Sequence, residues 1–218
     1  MSAPPHLRPA LPGDLDAILE LRRSLPMPEG VETRSGGFLL ATDPATYSSY
    51  LRGAQMWVLE LDARLAGFSL AFDDGLLRTS ALWQRREQIV WDPSFDAGAA
   101  LDTRVAYFDQ LALAPGVRPR YWGAALGLRA LAELFETHSF VLTTTVLEPI
   151  HNRAALPYLG RVGARELGSL DEQLPGFGRL RSAVHVIEAQ DFHARVAAGR
   201  EAGPRALRRI LSAAGLGP

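Results

Sequence analysis

The stretch that most constrains this chain runs from Arg104 to Leu147. A β-rich run, Arg104 to Leu113, leads through turn-rich Ala114 to Trp122 into a helix over 123–136, where Ala124, Leu128, Leu131 and Phe135 repeat. A second β-branched run, Phe140 to Leu147, follows. The apolar period changes from 2 to 3.6 and back within about 45 residues, so the chain builds a sheet with helices laid on it, an α/β or α+β architecture. Parity in the first run puts Tyr107, Asp109, Leu111 and Leu113 on one face and Phe108, Gln110 and Ala112 on the other.

The remaining sequence continues the alternation. His6 to Leu11 reads as a short strand, and Asp14 as the cap of a helix on which Leu15, Ile18, Leu19 and Leu25 share a face until Pro26 and Pro28 end it. Glu29 to Thr42 reads as loop with Phe38-Leu39-Leu40 as an apolar anchor, and Asp43-Pro44 opens a second helix over 45–52. Met56 to Leu61 and Leu65 to Phe72 form a hairpin around Asp62-Ala63-Arg64. Thr79 to Leu101 breaks the meander and reads as an insertion containing a helix. Farther on, Asn152 to Leu159 reads as a short helix, Ala164 to Leu170 and Ser182 to Glu188 as strands, and Ala194 to Leu216 as an Ala- and Arg-rich helical tail. Residues 1–190 therefore form one domain with an insertion at about 79–101, and 191–218 a helical extension that offers a surface for a second subunit, such as a homodimer.

Composition acts mainly by exclusion. The 218 residues are 47% hydrophobic with a formal net charge of -1, enough to bury a core but without a field that gathers nucleic acid or an anionic membrane. All 23 basic residues are Arg and Cys is absent, which removes thiolate chemistry, Schiff-base lysines and Walker-type phosphate binding. The five His show no pair at metal-ligand spacing, so no metal is expected. No run approaches the roughly 18 apolar residues of a membrane span, and the first residues lack a secretory leader, so the expected location is the cytoplasm.

One junction carries chemistry. Arg120-Tyr121-Trp122-Gly123-Ala124-Ala125 stands where strand and turn meet the long helix. Gly123 lets backbone come close to a ligand, Ala124 and Ala125 leave room above the first turn, and unpaired amides with the helix dipole favour a phosphate. Arg118 and Arg120 add charge-assisted contacts. Arg120, Gly123 and Ala125 resemble the pyrophosphate-binding signature Q/R-x-x-G-x-G/A of the GCN5-related N-acetyltransferase (GNAT) superfamily. Arg8-Pro9-Ala10 through Asp14-Leu15 is similar to that family's first strand and helix, Asp62 to Gly67 to its hairpin turn, and Asn152, Ala155 and Gly163 to its later motif. Asn152 is the only Asn in the chain.

The resemblance implies a mixed, mostly antiparallel central sheet, splayed between the two β-rich runs and flanked by helices, with acetyl-CoA in the cleft. It implies pyrophosphate on the helix after Arg120, near Tyr121 and Trp122. Main-chain groups of Leu111, Ala112 and Leu113 would hold pantetheine and polarise the thioester carbonyl. Asn152 would lie at the pantetheine and thiol end. A small-molecule or peptide amine would enter opposite, with Asp109 as its base and His151 as the second candidate; Glu87 and Asp102 rank below them. The family's usual thiolate-protonating Tyr falls at Leu159, so either the adjacent Tyr158 takes that role in a shifted helix, or water does, or the chain binds acyl-CoA without catalysis. Phe38, Tyr47, Trp83, Trp91 and Tyr107 are candidates for an aromatic acceptor wall, and Arg34, Arg85 and Arg86 for contacts to an acidic acceptor.

Overall fold

The hairpin shows how directly local sequence sets the sheet. Asp62 and Ala63 both adopt positive φ, 51° and 59°, as a tight two-residue turn between right-twisted strands requires. They join Gln55–Leu61 to Arg64–Phe72, both largely buried. The computed structural model describes residues 5–25, 27–34, 43–118, 121–174 and 178–217. Phe38-Leu39-Leu40 and Arg120 lie outside them.

In chain order the strands are β1 (His6–Pro9), β2 (Glu32–Thr33), β3 (Gln55–Leu61), β4 (Arg64–Phe72), β5 (Val90–Trp91), β6 (Val105–Leu113), β7 (Phe140–Glu148), β8 (His151–Asn152), β9 (Arg165–Leu174) and β10 (Gly178–Glu188). The α-helices are α1 (Leu15–Ser24), α2 (Pro44–Gly53), α3 (Asp74–Thr79), α4 (Ala81–Gln84), α5 (Ala97–Leu101), α6 (Tyr121–Leu134), α7 (Leu156–Val162), α8 (Ala189–Ala202) and α9 (Arg205–Ala213). The main sheet has the order β1-β3-β4-β6-β7-β10-β9-β5, and β2 and β8 form a small second sheet. In the main sheet every recorded pairing is antiparallel except β6 with β7, so the expected mixed, mostly antiparallel sheet flanked by helices is the fold observed.

Each face has its own core. On one, Leu126, Ala130, Leu131 and Leu134 of α6 pack with Trp57, Leu59, Phe108, Phe192 and Leu211. Eight of the fourteen α6 residues are buried, because the helix is covered both by the sheet and by α9. On the other face Ile18, Leu21 and Tyr47 of α1 and α2 pack with Val58, Phe68, Leu70 and Tyr107. The Asp43 carboxylate accepts the Thr46 N–H at 3.0 Å and so starts α2 where Asp43-Pro44 predicts it.

Several expectations change. The short helix begins at Leu156 rather than Asn152, which lies in β8 beside Thr33 of β2, within the expected 29–42 loop. The 79–101 segment holds α4, a 3-10 turn, β5 and α5, and β5 extends the sheet beyond β9. The tail is two helices, broken at Gly203-Pro204 because proline offers no N–H to continue the ladder. Phe192 and Leu211, 1% and 2% exposed, sit in the α6 core, so the tail's apolar face is already covered by its own chain. Among the described residues no helix is long and apolar enough to cross a membrane.

Candidate active site

Strand β6 has two unlike halves. Val105, Ala106 and Tyr107 pair in parallel with Phe140, Val141 and Leu142, and the register goes no farther. On its other edge β6 follows β4, with Phe108 opposite Ala71 and Gln110 opposite Leu70. Asp109 has no partner in that register and is the extra residue of a β-bulge, the device that re-aims side chains beside cavities.

The bulge corrects the parity expected from sequence. Phe108 faces the α6 side, yet so do Leu111 and Leu113, while Tyr107 and Ala112 face the α1–α2 side. The extra residue shifts the alternation by one step, so Asp109 does not share a face with Leu111 and Leu113. It lies on the α1–α2 side within electrostatic reach of Tyr47, Tyr50 and Tyr107. Burial raises its carboxyl pKa to about 6, partly offset by a hydrogen bond from Gln110 Nε2 to Oδ2 at 2.9 Å. Gln110 Oε1 accepts the hydroxyl of the fully buried Tyr47 at 2.7 Å.

Beyond Tyr107 the far edge of β6 is open. Ala114 N–H donates to Ala66 O at 2.9 Å, and bonded and non-bonded pairs alternate along an antiparallel ladder. Ala112 opposite Phe68 is therefore engaged with β4, whereas the main-chain groups of Leu111 and Leu113 point to where β7 has diverged. Of the three residues expected to hold pantetheine, two face the gap.

Helix α6 begins at the same place. A side chain on Gly123 would put Cβ 3.0 Å from Leu113 Cδ1, so the first turn lies against the last residue of β6. Its N-terminal amides belong to Tyr121, Trp122, Gly123 and Ala124, at the positive end of the dipole, and Ala125 is fully buried beneath them. The Tyr121 and Trp122 rings stand 4.8 Å apart. Arg118 is exposed just before the helix. One turn on, Gly127 admits a second contact: a Cβ there would come 2.5 Å from the Tyr158 hydroxyl. That hydroxyl is buried with no hydrogen-bond partner among the described residues, and burial holds its pKa well above the ordinary phenol range. Leu159 at the family's usual Tyr position is buried, and the adjacent Tyr158 reaches α6. Gly163 ends α7 in the left-handed conformation, φ 89°.

Other candidates are placed differently. Asn152 Oδ1 accepts the Ala154 N–H at 3.2 Å in a local turn rather than capping α7. His151 is half-buried in β8, its N–H donated to Val31 O at 2.9 Å, and its side chain has no hydrogen bond or ion pair among the described residues. Glu87 and Asp102 are exposed. Arg85 pairs with Glu172 at 2.7 Å, Arg86 lies over the Trp83 ring, and Arg34 stands 3.6 Å from Glu32. Tyr47 is core, Trp91 stacks on Phe95, and Trp83 and Tyr107 line an apolar cavity of only ≈ 10 Å³, too small for an acceptor. Sequence reasoning missed Gln110, which has no local signature, and Gly127, whose spacing of four from Gly123 marks a common helix face.

The helix start with its free amides and the parting of β6 from β7 suit an anionic ligand lying along an open strand edge. No family model matches the sequence, and no curated protein matches it. Solved structures do match. The ribosomal-protein-S18-alanine N-acetyltransferase of Escherichia coli aligns with a TM-score of 0.57 at 12% identity, over 85% of this chain and 94% of that one. NAA60 of Arabidopsis thaliana, in complex with a bisubstrate analogue, gives 0.59 at 15% identity, over 85% and 98%. FeeM, an N-acyl amino acid synthase from uncultured soil microbes, gives 0.57 at 15% identity, over 88% and 94%. The chain thus has the GNAT fold, the fold of acyl-CoA-dependent N-acetyltransferases.

Proposed function

We propose that this chain is an N-acetyltransferase that moves the acetyl group of acetyl-CoA directly to a primary amine of a small molecule or peptide. The observation that carries the reading is the opening of β6 from β7 after Tyr107, with Leu111 and Leu113 main-chain groups directed into it, Asp109 on one face and the Tyr158 hydroxyl on the other. The α6 amides and Arg118 would bind the pyrophosphate, with Arg120, the residue before α6 in sequence, and Asn152 would support the thiol end. The Leu111 and Leu113 edge would bind pantetheine, one amide donating to the thioester oxygen as charge develops there.

In the transfer the amine nitrogen bonds to the carbonyl carbon and the carbon–sulfur bond breaks. Asp109, ionised above about pH 6, accepts the proton the nitrogen loses. Tyr158, held protonated by burial, donates a proton to the departing thiolate; once the products leave and water enters the gap, Asp109 releases its proton and Tyr158 regains one. The products are an N-acetylated amine and the free thiol. His151 remains the reserve candidate for the base.

Leu159 is the observation that favours a second reading, an acyl-CoA-binding module without chemistry; the buried, unpartnered Tyr158 hydroxyl beside it is what keeps the catalytic reading ahead. Titration calorimetry with acetyl-CoA and coenzyme A tests both, because absence of binding overturns both. Binding followed by thiol release over an amine panel supports the enzyme, and binding without turnover supports the module.

A further inference from the structure

Among the groups on the α1–α2 side of β6, one polar side chain has no role in the transfer just described and touches the group that does. In a regular strand consecutive side chains leave on opposite faces, so residues 109 and 110 could not meet. The bulge brings both to one side, where Gln110 Nε2 donates to Asp109 Oδ2 at 2.9 Å and Gln110 Oε1 accepts from Tyr47 Oη at 2.7 Å. Tyr47 cannot drift: it is 0% exposed, its ring edge-on to Tyr50 and Phe68 at 6.2 Å.

We propose that Gln110 is a positioning residue: anchored by Tyr47, it holds the Asp109 carboxylate with Oδ2 satisfied, leaving Oδ1 to take the amine proton. This rests on the reading of Asp109 as the base. The amide is suited to the task because it donates without titrating, and Tyr47 Oη, donating to Oε1, keeps the NH₂ end on the carboxylate. Among the described residues, the other titratable and charged groups facing the pair are Tyr50 of α2, with Asp43 within its electrostatic reach, Tyr107 of β6 and Arg22 of α1, whose guanidinium lies 5.9 Å from the Tyr47 ring centroid. Arg85 and Glu172 stand behind Tyr107. The substitutions below change none of these groups, so the effect of Gln110 is read against a fixed background.

The test is a ¹³C NMR titration of the Asp109 carboxyl in the full chain, in the parent, Gln110→Met and Tyr47→Phe. Methionine keeps the volume and removes the donor. The carboxylate then loses the hydrogen bond opposing its burial, and the Asp109 midpoint rises by about one pH unit. Tyr47→Phe frees the amide to turn and raises the midpoint less. A midpoint in a folded Gln110→Met protein that is unchanged, or lower, overturns the proposal. If Gln110→Met does not fold, Tyr47→Phe decides on the same criterion. A structural packing role would lower the melting temperature without moving the midpoint. Turnover of Asp109→Asn separates the two claims: unchanged turnover removes Asp109 as base, while the NMR result still decides whether Gln110 controls its carboxyl.

Discussion

The two halves of β6 make the instructive contrast. Val105 to Phe108 are all buried, and the first three also pair with β7. Of the next five only Ala112 is buried; they meet no β7 partner and include the bulge. One strand of nine residues thus carries a structural half, built as a sheet interior, and a half whose backbone and side chains remain available for a ligand. The difference is made by the partner strands. β4 follows β6 from Tyr107 to its end at the expense of a bulge, and β7 leaves after three residues.

The sharpest challenge to this division is substitution within the structural half. Phe108→Ala removes a side chain only 6% exposed between α6 and the sheet, and is expected to cost about 3–5 kcal/mol in denaturant unfolding. A loss well under 1 kcal/mol would break the distinction. In the open half Asp109→Asn should act oppositely on stability and activity. The folded pKa of about 6 lies above the unfolded value, so native Asp109 binds its proton more tightly and stability falls as pH rises between them. Asparagine removes that penalty. It should stabilise the fold by roughly 2 kcal/mol at pH 8 and little at pH 3, while turnover drops on the order of 100-fold or more and loses its rise near pH 6. Stability measured at both pH values, with a pH–rate profile, checks both signs.

The smallest expected effect lies across the gap. Tyr158→Phe deletes a buried hydroxyl with no partner, so stability should hold or increase by about 1 kcal/mol while turnover falls. A clear loss of stability with intact turnover would make Tyr158 a packing residue and leave the open half of β6 with chemistry on one face only.

Much of this was legible before any coordinates. The hairpin at Asp62-Ala63, the cap at Asp43, the strand–turn–helix passage into α6 and the Gly123-x-Ala125 junction all follow from nearest-neighbour rules, because turn chemistry, capping and periodicity are written within a few residues. Asp109 was identifiable as a candidate because the family resemblance implies a base on this strand and parity put it on the face of Leu111 and Leu113. Its facing was not, because parity predicts orientation only while the ladder is regular, and a bulge exists only relative to a second strand. The orientation of Tyr158 was likewise out of reach, since it depends on where α7 docks on α6. The tail's apolar residues looked available to a partner until the α6 core covered them.

The sequence by itself determined the order of elements, the residue types at the junction and the exclusion of lysine and cysteine chemistry, all properties of composition and local spacing. Tertiary structure decided which edge of β6 stays open, on which side Asp109 and Gln110 meet, and what lies beneath Tyr158. Those depend on contacts between segments separated by about 30 to 60 residues, where register and docking rather than local preference choose among arrangements that similar sequence patterns allow.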